Sequence, residues 1–288
     1  MLKIGLVSLE STHVDAYCKL LNAEQGFNGM RVEGARVTAV CPHENPLERV
    51  QELQEGYGIE EVYEEPAEML PHVDAAMILA RNGDLHCRQA LPFLEAGKPT
   101  FVDKPFAHTM ADSEEMVRAA RRSGAPLMSC SSLRYSVELA EMQSEMARLG
   151  SIAHCHCSGP GELFFYGVHL VEMAHTMLGP GIVAVTNAAD EHRDLMALRW
   201  ADGKTAFLSL LRDVEIGFHC SIFGEKGERH TSVADVAYYR RQLERFIETC
   251  RTGVEPIPLE HTLEIIRTLM AAKLSRERHG ASVSLADV

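Results

Sequence analysis

Residues 97–106 read Gly-Lys-Pro-Thr-Phe-Val-Asp-Lys-Pro-Phe. Gly97 and Pro99 mark a turn. Thr100, Phe101 and Val102 are β-branched or aromatic, as a strand interior prefers. Pro105 cannot donate to a sheet ladder, so the strand is expected to end at about Lys104. Lys104 then stands at the carboxyl end of a strand, where open α/β sheets bind their ligands. Taken alone, such a lysine reads as a surface residue of a loop.

The strand belongs to a repeating series. Residues 2–9 form an apolar run with little polar interruption, as a buried parallel strand does. Residues 14–22 carry Val14, Tyr17, Cys18 and Leu21 at helical spacing. Strands follow at 36–41, 62–63 and 74–80, with a helix at 47–57 between the first two. Residues 84–96 read as a helix that Gly97 closes in C-cap position. Residues 110–123 read as another, and residues 125–131 as a sixth strand. Strand and helix alternating this way predict a Rossmann-type, doubly wound parallel sheet. It should occupy residues 1–126.

Residues 127–288 have a different rhythm. A helix at about 137–149 precedes a strand beginning at Ser151. Strands at 183–188, 195–200, 205–210 and 218–223 are joined by short turns, so their sheet should be largely antiparallel. Asp202-Gly203 is a hairpin turn by composition. Long helices are expected at 238–252 and 259–279. The second domain is thus α+β, with a mostly antiparallel open sheet. Within it, residues 154–157 alternate His-Cys-His-Cys. A strand separates these histidines from the cysteines by face. A four-ligand zinc site from this run alone is geometrically poor, and no metal site is expected.

Three stretches taken together carry a resemblance: Glu95 to Pro105, the Gly167-Val168-His169 helix start, and residues 275–285. They resemble the Gfo/Idh/MocA family of nicotinamide-dependent oxidoreductases. Asp103 stands where that family's Glu-Lys-Pro segment has glutamate. The resemblance implies that Lys104 and His169 are catalytic, with Asp103 and Lys104 beside the cofactor. Glu172 stands where the family has aspartate, three positions after the histidine. The aspartate usual before the histidine is replaced by Phe165; Tyr166 and Glu162 are the nearby candidates to compensate. Arg134, Tyr135, Tyr166 and Glu172 are the implied substrate contacts, with packing as the alternative for Arg134 and Tyr135. His169, Glu172 and His175 spread too widely around a helix to converge on one ion.

A dinucleotide needs a glycine-rich turn after the first strand. The run from Gly5 to Glu10 keeps only its first glycine, with Ser8 and Glu10 further along it. Glu10 would set negative charge near a pyrophosphate. Ser8, Ser11 and Thr12 offer hydroxyls, and a helix N-terminus favours an anion. Glu44, displaced two positions beyond the second strand, is the candidate for the adenosine ribose. No arginine immediately follows that strand to take a 2′-phosphate, Arg49 being the nearest, so NAD is favoured over NADP. The loop at 81–86 implies a cofactor contact for His86.

The totals set bounds. At 288 residues with 46% hydrophobic and 24% charged, the chain is an ordinary globular composition with room for two domains. A net charge of −13 disfavours nucleic acid and anionic membranes. No apolar run spans a bilayer. The 8 cysteines are scattered, without a secretory signal, and read as reduced core thiols in the cytoplasm. The expected function is hydride transfer between NAD or NADP and a sugar, polyol or related small molecule. The alternatives are a non-catalytic ligand-binding or regulatory protein on the same scaffold, and a lyase or isomerase using a retained cofactor or metal. A homodimer or homotetramer through the open sheet face is expected.

Overall fold

The computed structural model describes residues 1–43 and 47–288. The chain divides into two compact units. Strands β1 (Leu2–Val7), β2 (Ala35–Cys41), β3 (Glu61–Val62), β4 (Ala75–Ile78), β5 (Thr100–Val102) and β6 (Leu127–Met128) form one parallel sheet. Its order is β3-β2-β1-β4-β5-β6. The order reverses between β1 and β4, which is the switch point where doubly wound sheets bind ligands. Helices α1 (Thr12–Leu21), α2 (Leu47–Tyr57), α3 (His86–Glu95) and α4 (Met110–Ser123) make the crossovers. Gly124 ends α4 at φ 75°, the left-handed cap conformation that glycine adopts without strain.

The second unit begins with α5 (Val137–Glu145), β7 (Ile152–Pro160) and α6 (Gly167–Leu178). Strands β8 (Ile182–Ala189), β9 (Arg193–Trp200), β10 (Thr205–Leu211), β11 (Phe218–Gly224) and β12 (Gly227–Val233) follow. With β13 (Val283–Ser284) they make a sheet of order β12-β11-β7-β10-β9-β8-β13. It is antiparallel except where β10 pairs with β7. Helix α6 packs across β7, β10 and β11, and its side chains are almost all buried. The alternation on β7 holds: Cys155 and Cys157 are buried, while His154 and His156 are partly exposed on the other face.

One division differs from the expected split at residue 126. The first unit is Met1–Cys130 together with Tyr239–Leu259, and the second is Ser131–Tyr238 with Glu260–Val288. Helix α7 (Tyr238–Thr252) therefore belongs with the parallel sheet, while most of α8 (Leu259–Glu277) belongs with the other. The physical reason lies in the side chains that α7 buries. Gln242 accepts from the Tyr17 hydroxyl at 2.7 Å and donates to the Cys130 carbonyl at 3.0 Å. Phe246 packs its ring on Phe101 at 5.8 Å.

Candidate functional site

Asp103 and Lys104 follow β5 directly. Asp103 continues the ladder through its N–H to the Ile78 carbonyl at 2.9 Å. Both side chains are buried. The Asp103 carboxylate accepts from the Lys104 N–H at 2.7 Å, from His13 Nδ1 at 2.7 Å and from the Ser11 hydroxyl at 3.5 Å. Burial alone would raise the Asp103 pKa, but His13 and then Lys104 outweigh it and hold the group at about 2. Burial pushes the Lys104 pKa down, and Arg81 adds to this while Asp103 opposes it. Asp103 thus ties the end of β5 to the start of α1, across β4.

The turn between β1 and α1 sits three residues later than the match from Gly5 placed it. Gly5 lies inside β1, not in the turn. A Cβ at Gly5 would lie 2.4 Å from Met69 Cε and 3.1 Å from Val73 Cγ1, so its glycine serves packing under the sheet. A Gly-x-Gly-x-x-Gly fingerprint opens at the strand end and closes in the first helical turn. Here those places are Ser8, Glu10 and His13. Ser8 adopts φ 64°, so the tight turn survives without its glycine. Its hydroxyl accepts from Gln89 at 2.9 Å. Glu10 accepts from the Arg81 N–H at 2.9 Å, so its carboxylate bridges the segment after β1 and the segment after β4. Ser11 caps α1, accepting from the His13 N–H at 3.2 Å. Thr12 is the exposed first residue of that helix.

Glu44 lies outside the described residues. Arg49 is held by Asp15 at 2.9 Å and by the Leu9 carbonyl at 3.1 Å. A second guanidinium reaches the end of β2 from another element: Arg88 of α3 donates to His43 Nε2 at 2.6 Å. His86 has a different place from the one the resemblance implied. It is fully buried, with Nε2 at 2.8 Å from the Ala80 carbonyl and Nδ1 at 3.2 Å from the Phe106 carbonyl. Burial lowers its pKa despite these carbonyls. Both nitrogens are spent on backbone, and the ring pins the end of β4 to the segment after β5.

In the second unit, His169 stands near the start of α6 and is buried. Its Nδ1 lies 2.6 Å from the Ser131 hydroxyl. Ser131 Oγ also accepts from the Leu133 N–H at 3.2 Å, and the Ser131 N–H donates to Glu172 at 3.2 Å. Phe218 packs edge-on against the His169 ring at 5.2 Å, and Tyr166 lies 6.1 Å away. Ser131 thus holds one edge of the His169 ring. Glu162, the other candidate, goes instead to Arg212 at 3.1 Å. Arg134 donates to Glu172 at 2.6 Å, so two of the four implied substrate contacts bind one another. His175 turns the other way, 3.6 Å from Glu264, with its pKa pushed down to about 3 by burial, Arg134 and His261. As the helix geometry required, His169, Glu172 and His175 do not converge.

Sequence reasoning missed His13, Arg88 and Ser131. His13 was legible only in the shifted register of the turn. Ser131 and Arg88 act across the fold, and no local pattern marks them.

Residues 10–130 match the family described as "Oxidoreductase family, NAD-binding Rossmann fold", GFO_IDH_MocA. D-apiose dehydrogenase of Paraburkholderia graminis is 33% identical over 98 residues, covering 34% of this chain and 26% of that protein. The NADP(+) scyllo-inositol 2-dehydrogenase of Bacillus subtilis is 27% identical over 146 residues, covering 48% and 44%. The chain therefore spans less than half the length of these curated relatives. Among solved structures, scyllo-inositol dehydrogenase from Lactobacillus casei with NAD(H) and scyllo-inositol superposes with a TM-score of 0.85 at 16% identity, covering 99% of each chain. Myo-inositol 2-dehydrogenase from Lactobacillus plantarum gives 0.87 at 14%, covering 98% of this chain and 99% of that one. At such identities the likeness concerns fold, and it agrees with the sheet order described above. Residues 10–130 thus carry the match to the Gfo/Idh/MocA oxidoreductase family model, and the chain shares the fold of these dehydrogenase structures.

Proposed function

We propose that the protein is an oxidoreductase moving a hydride between NAD or NADP and a carbinol carbon of a sugar, polyol or related small molecule. The observation that carries this reading is Lys104, buried with a lowered pKa at the carboxyl end of β5. Relatives named for apiose and inositol support the substrate class. The turn fits a pyrophosphate in its backbone shape, in the N-terminus of α1 and in the hydroxyls of Ser8, Ser11 and Thr12. Glu10 is set against it and has to leave Arg81 to admit an anion. When bound, the nicotinamide supplies or accepts the hydride. Arg88 beside His43 supports NADP, against the preference for NAD drawn from the sequence.

Lys104 donates a hydrogen bond to the reacting oxygen, and its charge favours a developing alkoxide. His169 holds or releases the proton at Nε2, with Nδ1 tied to Ser131. The Arg134–Glu172 pair fixes the backbone around Ser131, and Tyr135 and Tyr166 contact the substrate. A second reading, a non-catalytic binding protein, is favoured by one observation: no glycine remains at Ser8, Glu10 and His13.

Calorimetric titration with NAD, NADH, NADP and NADPH tests both. Micromolar binding of one pair, followed by turnover of a polyol or sugar, supports the dehydrogenase. A folded protein that binds none at millimolar concentration overturns it.

The outer face of the second sheet exposes Phe207, Leu195 and Val183, at 55%, 42% and 38%. Large apolar groups in such an array favour burial against another copy, and we assign a homodimer or homotetramer to this face. Light scattering on the purified protein tests it. No helix among the described residues is long and apolar enough to cross a membrane. All eight cysteines are free thiols, which supports a reducing compartment such as the cytoplasm.

A further inference from the structure

Three of those thiols meet at one point. Strands β7 and β11 pair antiparallel with Cys157 opposite Cys220 and Cys155 opposite Ile222. Cys155 and Cys157, two apart on one strand, share a face with Cys220. The sulfurs stand 3.6 Å (Cys155–Cys157), 3.7 Å (Cys157–Cys220) and 3.9 Å (Cys155–Cys220) apart. All three residues are fully buried.

The triangle has the size of a coordination face. An ion holding thiolates at about 2.3 Å sets them about 3.8 Å apart in a tetrahedral arrangement and about 4.0 Å apart in a trigonal plane. The three edges cluster about the tetrahedral value. A disulfide needs two sulfurs at about 2.05 Å and leaves the third without a role. The surroundings select the kind of ion. Ala206 and Leu208 on β10 lie beside Cys155 and Cys157, and Ile222 lies beside Cys155 on β11. All three are buried and apolar. Among the described residues no fourth histidine, cysteine or carboxylate joins the group. Such a site offers a hard cation no oxygen, whereas soft thiolates select zinc or copper(I).

We propose that Cys155, Cys157 and Cys220 bind one thiophilic d10 metal ion, zinc(II) or copper(I), inside the second sheet. Binding displaces thiol protons and transfers no electron. The ion ties β7 to β11 and so stabilises the sheet on which α6 rests. Complete burial means that it enters while the chain folds.

The test uses the full chain. Elemental analysis of the purified protein comes first. The chain is then unfolded, stripped with a chelator and refolded with zinc(II), copper(I), cadmium(II) or no metal. The expected result is one ion retained per chain through gel filtration, with the element identifying the source. Refolding with cadmium(II) should give a thiolate charge-transfer absorption, and the metal-loaded form should melt above the metal-free one. Cys220→Ala should lose ion and absorption, while Cys250→Ala, outside the cluster, should keep both. If Cys220→Ala does not fold, the wild-type refolding series decides. Refolded wild-type protein that takes up no ion and melts unchanged overturns the proposal. So does a Cys157–Cys220 disulfide found by mass spectrometry in the protein as isolated.

Discussion

His169 Nδ1 and the Ser131 hydroxyl lie 2.6 Å apart, although 38 residues separate them in the chain. A carboxylate in that position would accept only and would fix the proton on Nδ1. A serine hydroxyl accepts or donates, so both neutral tautomers of the ring remain within reach. Ser131→Ala removes the ring's orienting bond. The expected result is a fall in kcat of about tenfold, equivalent to about 1.4 kcal/mol of alignment, with little change in KM. Ser131→Asp should restore part of the rate and shift the pH–rate profile towards a more basic histidine. Steady-state rates of the two variants across pH check this. A profile unchanged in both would leave Ser131 a purely structural cap.

Lys104→Ala should lower turnover by at least about a hundredfold, as loss of a group that stabilises developing charge does. Calorimetric affinity for the cofactor should stay within a few-fold. Equal loss of both would remove Lys104 from the chemical step. In the proposed role, Lys104 favours an alkoxide only while protonated. Because burial lowers its pKa, that contribution should fade as pH rises through a value below the ordinary lysine range.

Glu10→Gln removes a negative charge from the mouth between β1 and β4. At about 4 Å in water a unit charge pair is worth about 1 kcal/mol, so dinucleotide affinity should rise about fivefold. Added salt should shrink the difference between variant and wild type, since exposed charges are screened. Calorimetry at two ionic strengths measures both. Equal affinity at low salt would mean that the carboxylate turns away from the bound anion.

The His13–Asp103 pair makes stability depend on acid. Asp103 has its folded pKa lowered to about 2 from an ordinary 3.8. Its contribution is therefore present above the unfolded value and is lost as pH falls from about 4 towards 2. The difference corresponds to about 2 kcal/mol. His13→Ala should abolish much of it and move the acid-unfolding midpoint to higher pH. Circular dichroism along an acid titration gives the answer, and an unmoved midpoint would assign the low pKa to Lys104 instead.

What the sequence made legible follows from the range of each interaction. Strands and helices of the first unit are written in local patterns, and Thr100-Phe101-Val102 with Pro105 located β5 and Lys104 correctly. Gly5 misled because a glycine inside a strand and a glycine in the following turn look alike until the strand end is known. Packing under Met69 and Val73 explains Gly5, and that contact is formed by residues far along the chain. Phe165 announced a missing aspartate, but Ser131, which bonds the His169 ring, lay outside the motif. The strand pattern separated Cys155 and Cys157 from His154 and His156. It had no means of showing that Cys220 would arrive beside them from β11.

The return of residues 239–259 to the parallel sheet has a consequence for how the chain is made. A ribosome that has released residues 1–130 has not yet supplied Gln242 for Tyr17, Phe246 for Phe101, or Glu255, whose carboxylate accepts from the Leu127 N–H at 3.3 Å. Residues 131–238 thus form a long parenthesis inside an unfinished unit. The parallel-sheet unit matures after most of the other unit has been synthesised, and a fragment cut at residue 130 would keep its strands but lack the buttress that seals them.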